Sequence, residues 1–306
     1  MNISKIYNQY IKNRVLVFVV IITLIWLGIY TRGFGLDMII LTFFIFAVFM
    51  GKTKEFLKDW GILLILFWLY ETLRGLADNI GLEILHRPLV VDFPNKVDTF
   101  MFSWVTHGQN LNYWLQQHLP PSQMPHTFLV FLFFFYTMFF WYWAGIGFFL
   151  WLKNKKLFYN YMKTLLTLNF VAVIIFTLFP SAPPWYAASL GKLPHLDRIM
   201  WSNVFPNSGI SYIHFWDQNY FAAIPSLHFS WPLLASIYLI KYIKSKTKQQ
   251  NNNIKSIIKR NLLIITALCV PLIILFSIVY GAEHYVFDAI VGGILVWGVG
   301  RIVQKS

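Results

Sequence analysis

The sequence predicts an all-α polytopic membrane protein of about eight transmembrane helices, with both termini in the cytoplasm. Three observations carry that reading. The chain of 306 residues is 58% hydrophobic and 19% aromatic but only 12% charged, more apolar surface than a soluble domain of this size can bury. The apolar residues gather in runs of membrane length, since about 20 helical residues cross a hydrocarbon core of about 30 Å. The charges also separate by side when those runs are threaded alternately.

In chain order the spans fall at about 15–31, 36–50, 60–77, 127–152, 162–180, 226–243, 261–280 and 284–303. The first follows Lys5, Lys12 and Arg14, as the core of a signal peptide does. No small-residue cleavage site follows it, and "IWLGIYTRGFG" leads straight into the next apolar run, so it is read as a retained helix. The second is short, of a length for either a span or a re-entrant segment. The fourth, "TFLVFLFFFYTMFFWYWAGIGFFLWL", contains no charge at all. The seventh contains Cys269, the only cysteine, which excludes a disulfide or thiolate cluster and is expected to fill the core.

Threading the chain with its N-terminus inside places 1–14, 51–59, 153–163, 241–260 and 301–306 in the cytoplasm. Those segments hold 19 of the 25 Lys and Arg, against only Glu55 and Asp59. The other side receives Arg32, Arg74, Arg87, Lys96, Lys192 and Arg198, together with 10 acidic residues. The net charge of +13 is therefore a topology signal, and no nucleic-acid partner is expected.

Two long outer segments, 78–126 and 181–225, are rich in Trp, Phe, Tyr and Pro, which argues for ordered loops. The stretch "FMFSWVTHGQNLNYWLQQHL" has the pattern of an interfacial helix, either an aromatic anchor for the fold or a substrate contact. All eight histidines fall on the outer side or at outer helix ends, and none shows a tight metal-ligand spacing. Two stand out. In "AAIPSLH", Pro225 suits the first turn of a helix, whose free N–H groups, with Ser226, form an anion site beside His228. In "EHYVFDAIVGG", His284 and Asp288 are four apart and share a helix face. A carboxylate on one imidazole nitrogen fixes the tautomer and leaves the other nitrogen as a directed base or nucleophile.

The pair P-S-x-H and H-x(3)-D, each opening a membrane helix, resembles the second and third motifs of the type 2 phosphatidic acid phosphatase superfamily. It is most similar to the branch that includes inositol phosphorylceramide synthase (inositolphosphotransferase) and its bacterial relatives. Supporting residues are "YETLRGLAD" (70–78), "WLQQHL" (114–119) and "FPSAPPWYA" (179–187). The resemblance spans roughly 70–300. It implies a six-helix catalytic core over 60–306, preceded by two extra transmembrane helices in 1–59. Two departures stand against it. The first motif, K-x(6)-R-P, has Ile80 in place of its Lys, before "HRP" at 86–88. The third motif keeps Ser277, His284 and Asp288 but has Ile278 in place of Arg. The missing cations must then come from elsewhere, and Arg74 and Arg87 are the candidates, Arg74 preferred for its place at a helix end.

The resemblance implies a phosphoryl-transfer enzyme that needs no metal or organic cofactor. His284 attacks phosphorus to form a phosphohistidine, Asp288 orients it, and His228 is the acid–base. Ser226, Arg74 or Arg87, and helix-end N–H groups bind the substrate phosphate. The substrate is then a phospholipid or other lipid phosphate, with a lipid acceptor if the enzyme is a phosphotransferase of the inositolphosphotransferase type. The alternative is a lipid-phosphate phosphatase, hydrolysing phosphatidic acid or an isoprenyl phosphate or diphosphate. A remoter one is a non-catalytic channel or carrier with a histidine proton relay, which the scarcity of polar residues in the inner halves of the spans disfavours. Lys, Asn, Ile and Phe usage suits an AT-rich bacterium, which would place the site on the extracytoplasmic face of the plasma membrane, or the lumenal face in a eukaryote.

Overall fold

The computed structural model of the chain describes residues 36–202, 219–247 and 254–305. The first predicted span, 15–31, lies outside the described residues. Among the described residues the regular elements are all helices, joined by turns and loops that carry isolated bridges at Val90, Ser181 and Ala222. Each of the other seven predicted spans is a helix. The chain divides into two compact units, Met1–Leu66 and Phe67–Ser306.

In the first unit, α1 (Leu36–Phe49) turns into the start of α2 (Thr53–Asp78). Gly51 takes φ +69°, the left-handed conformation that ends a helix cheaply, and Lys52 N–H closes the turn on the Ala47 carbonyl at 2.8 Å. Phe56 and Trp60 stack at 5.4 Å, with Phe44 edge-on to Phe56. At 14 residues α1 is about 21 Å long, short of the hydrocarbon thickness.

In the second unit, α2 runs on as a π-helical turn, Asn79–Ile84. Two helices too short to span follow, α3 (Asp92–Thr106) and α4 (Leu111–His118). Then come the long α5 (His126–Lys153) and α6 (Lys155–Leu178), the short α7 (Pro184–Ser189) and α8 (Ile199–Ser202), and finally α9 (Leu227–Thr247), α10 (Ile254–Tyr280) and α11 (Val286–Lys305). Among the described residues, five helical stretches are long and apolar enough to cross a membrane: Thr53–Ile84, His126–Lys153, Lys155–Leu178, Ser256–Tyr280 and Val286–Gln304.

The helix missing from that set, α9, is the centre of the bundle. It packs on α5, α6, α10 and α11. Because its neighbours shield it from lipid, it can carry polar side chains that bond inward. Trp231 Nε1–H donates to Asn169 Oδ1 at 2.7 Å, Tyr238 and Thr164 share a hydroxyl contact at 2.9 Å, and Ser230 Oγ–H donates to the Ser226 carbonyl at 2.7 Å. Cys269 is not core filler. It lies on the exposed face of α10, where lipid accepts a small apolar thiol as readily as a core does.

The charge partition predicts sidedness. On a Cys269→Ser background, a cysteine at Phe100, an exposed site on α3, should react with an impermeant thiol reagent in intact cells. A cysteine at Lys246 should react only after permeabilisation. The opposite pattern inverts the topology.

Candidate active site

Helix α9 begins at Leu227, so Ser226 is its N-cap and Pro225 stands two residues ahead of the helix rather than in its first turn. The Ser226 carbonyl accepts the Ser230 N–H at 3.0 Å. Its own N–H is not free but donates to the Asp288 carbonyl at 3.0 Å, which ties the start of α9 to the start of α11. The Ser226 hydroxyl is buried without a hydrogen-bond partner. The first N–H groups of α9, from Leu227 to Phe229, have no acceptor within the helix, as at any helix start. The approach to Ser226 is held by "FPSAPPWYA": Ser181 N–H donates to the Phe221 carbonyl at 2.7 Å, and Ser181 Oγ accepts the Ile224 N–H at 2.9 Å.

His284 lies just before α11, not inside it. Its contact with Asp288 therefore arises from a cap rather than from a shared helix face. Tyr285 is the N-cap and Asp288 the third helical residue, whose Oδ2 reaches back to accept the Tyr285 N–H at 3.0 Å. That is the carboxylate half of a capping box. The same oxygen meets His284 Nδ1 at 3.1 Å, and His284 Nε2 meets His228 Nδ1 at 3.1 Å. Asp288, His284 and His228 thus form one line, with Asp288 fully buried, His284 nearly so and His228 half-buried. His228 lies against Phe139 at 4.3 Å and stacks on Tyr136 at 5.3 Å. Beneath it Trp231, Trp143 and Phe67 continue the aromatic packing into the bundle.

Three polar residues that sequence reasoning did not single out hold this line from the outer helices. Asn112 Nδ2–H on α4 donates to the carbonyls of Val279 and His284 at 2.7 and 3.0 Å. One turn on, Gln116 Nε2–H donates to the carbonyls of Asp197 and Tyr280 at 2.9 and 2.8 Å. Asp98 on α3 is fully buried and accepts the N–H groups of Val286 and Phe287 at 2.8 and 2.7 Å. Burial pushes the Asp98 carboxyl up to about 6; the two N–H bonds pull it back, and the Asp288 charge adds to the push. The signal in the sequence was a set of polar positions at helical spacing inside an aromatic segment.

The cations are distributed differently from the expectation. Arg74 pairs with Glu71 through Nε and Nη2 at 3.0 and 2.9 Å, and its charge acts on His228. Arg87 is exposed, and its side chain has no ion pair among the described residues. Arg198, not singled out from sequence, also acts electrostatically on His228. Its guanidinium grips Glu283, the residue before His284, at 2.8 and 3.0 Å, and lies over Trp185 at 4.4 Å. Ile278, at the position where the third motif carries Arg, is fully buried in an apolar cluster with Leu132, Tyr136 and Ile274.

The part of the chain that runs from the end of α3 through α9 is similar to a known family. Residues 106–249 match the PAP2 superfamily. The match contains His228 and Ser226 and stops short of His284 and Asp288, which the fold itself brings to His228. Over 95 residues the chain is 28% identical to a Bacteroides thetaiotaomicron protein named phosphoinositol dihydroceramide synthase. That stretch covers 29% of this chain and 31% of the relative, so the chain spans about a third of that protein's length. No solved structure matches.

The line depends on close approach of α9 and α11. A Cβ on Gly292 would meet Ser230 Oγ and stand 2.8 Å from the Ser226 carbonyl oxygen, a contact with backbone that cannot rotate away. Gly292→Ala should therefore lower the melting temperature and, by displacing His284 from His228, cut turnover by about 10²-fold. Thermal unfolding and kcat on the purified variant check both.

Proposed function

We propose that this protein is an integral membrane enzyme that transfers a phosphoryl group or phospho-headgroup between lipids through a phosphohistidine on His284, a phosphotransferase of the inositolphosphotransferase type. The observation that carries the reading is the Asp288–His284–His228 line set beside the open start of α9. The superfamily match and the name of the similar protein support the lipid-phosphate chemistry. In this reading residues 60–306 form the catalytic unit, with the site at the extracytoplasmic face of the plasma membrane and both termini in the cytoplasm.

With His284 Nδ1–H donating to Asp288, Nε2 carries the lone pair. At rest that lone pair accepts a hydrogen bond from His228 Nδ1–H. Substrate phosphorus takes the place of that bond. The N–P bond forms as the bond from phosphorus to the lipid oxygen breaks; His228, which becomes protonated on both nitrogens as the anionic substrate binds, delivers one proton to the departing alkoxide and is left neutral. In the second half-reaction an acceptor lipid hydroxyl attacks phosphorus, His228 takes its proton, and the N–P bond breaks. Asp288 stabilises the imidazolium character that His284 acquires. The non-bridging oxygens face Ser226 Oγ–H and the first N–H groups of α9, where one well-placed donor contributes about 3 kcal/mol. The matching N–H groups of α11 are already taken by Asp98, so the anion is received at α9. Arg74 supplies positive field; Arg87 reaches the phosphate only if its loop turns inward.

Purified protein incubated with a panel of lipid phosphates and phospho-headgroup lipids, with and without acceptor lipids, and read by mass spectrometry tests the reaction class. Acceptor-dependent appearance of a new phospholipid is expected. Release of free phosphate or free phospho-headgroup alone would make the enzyme a hydrolase, and no turnover with any lipid would remove the catalytic reading. Activity should persist in excess EDTA, and an absolute requirement for an added divalent cation would contradict the all-histidine mechanism.

The two histidines should differ by leaving group. His284→Ala should abolish turnover with every substrate. His228→Ala should keep a burst of phosphoenzyme with a nitrophenyl phosphate ester, whose leaving group needs little protonation, while losing turnover of lipid alkoxides. A reversed pattern exchanges the two roles.

A further inference from the structure

Two carboxylates meet the start of α11. Asp288 belongs to the histidine line. Asp98 has no hydrogen bond to either histidine; it comes from α3 and is fully buried, with each oxygen holding one N–H of the first turn, Val286 at 2.8 Å and Phe287 at 2.7 Å. Those donors begin two residues beyond His284, and their helix carries Asp288 one residue further on. A carboxylate at a helix start is favoured by the helix dipole as well as by the hydrogen bonds. The opposite face of α3 exposes Phe100 and Trp104. A helix whose outer face is aromatic and exposed thus reaches inward through a single carboxylate to the backbone that carries the nucleophile.

We propose that Asp98 is a positioning residue for phosphoryl transfer, bracing the first turn of α11 so that His284 and Asp288 stay in register with His228. Asn112 supports the same backbone from the other side through the His284 carbonyl, but it is shared with the end of α10. Asp98 instead holds the first N–H groups of α11 without a hydrogen bond to α10. The proposal rests on the phosphohistidine reading. It adds that the rate of N–P bond formation depends on a side chain remote in sequence that contacts no reacting atom. Both Asp98 oxygens are acceptors here. An Asn would present one acceptor and one donor to two N–H groups, and one of those bonds must fail.

The test is a pre-steady-state burst with a nitrophenyl phosphate ester, run on full-length wild type, Asp98→Asn, Asp98→Glu and His284→Ala in lipid vesicles. Burst amplitude counts competent centres, and burst rate reports how well each is aligned. Asp98→Asn should lower the burst rate by about 10²-fold while leaving the amplitude within about two-fold of wild type. Asp98→Glu, which keeps both acceptor oxygens, should fall between Asn and wild type. An unchanged rate, with or without reduced amplitude, would show that Asp98 only helps the protein fold and would overturn the proposal. If Asp98→Asn yields no folded protein, the Glu variant decides. A slowed burst there supports the brace and a wild-type rate overturns it. A wild-type protein with no burst, or a burst that survives in His284→Ala, removes the catalytic reading and the proposal with it.

Discussion

A carboxylate sealed from water must find its hydrogen bonds inside the protein, and the bonds that one oxygen of Asp288 makes organise this end of the bundle, its other oxygen being buried without a partner. Its Oδ2 takes both the Tyr285 N–H and the His284 ring, so the same group that caps α11 also fixes the imidazole. Its backbone carbonyl takes the Ser226 N–H, so the same residue joins α11 to α9. Move Asp288 and three things fail together: the helix start, the orientation of the His284 ring and the placing of the turn at Ser226. Close contact at Gly292 is what lets the two helix starts come near enough for this to happen.

The remaining architecture supports that contact from two directions. From inside the bundle, aromatic rings from Tyr136 to Phe67 pack beneath His228. From the other end, α3, α4 and the Pro-Pro-Trp segment bond to backbone rather than to side chains. Asp98, Asn112, Gln116 and Ser181 each fix a carbonyl or an N–H of a segment that adjoins His284 or Ser226. Arg198, held by Glu283 and Trp185, supplies a cation next to His284 in a chain whose third motif has lost its own. Ile278 gives that lost position to apolar packing, which explains why no charge can sit there.

The helices and the His284–Asp288 pair were legible in the sequence because both are local patterns, whereas the contact of His284 with His228 crosses 56 residues. Apolar runs of about 20 residues mark spans wherever lipid is the solvent, and His284 with Asp288 needs only a four-residue spacing. Even so, the local reason differed: the pair meets through a capping box before α11 rather than on a helix face. What the sequence did not reveal is long-range. The contacts of Asp98 cross 188 and 189 residues, and those of Asn112 cross 167 and 172, distances at which no periodicity carries information. The low apolarity of α9 likewise has its reason in the four helices around it. Arg198 sits in an outer loop like Arg87, and only the fold distinguishes the one beside Glu283 from the one exposed to solvent.

In the proposed reaction His284 becomes covalently phosphorylated during turnover. The most direct measurement is to quench the enzyme during reaction with a phosphorus-labelled lipid substrate and map the labelled residue by mass spectrometry. An acid-labile, base-stable phosphoramidate is expected on His284, absent from His284→Ala and accumulating when the acceptor is withheld. Label on Ser226, label that survives acid, or turnover without any labelled protein would contradict it.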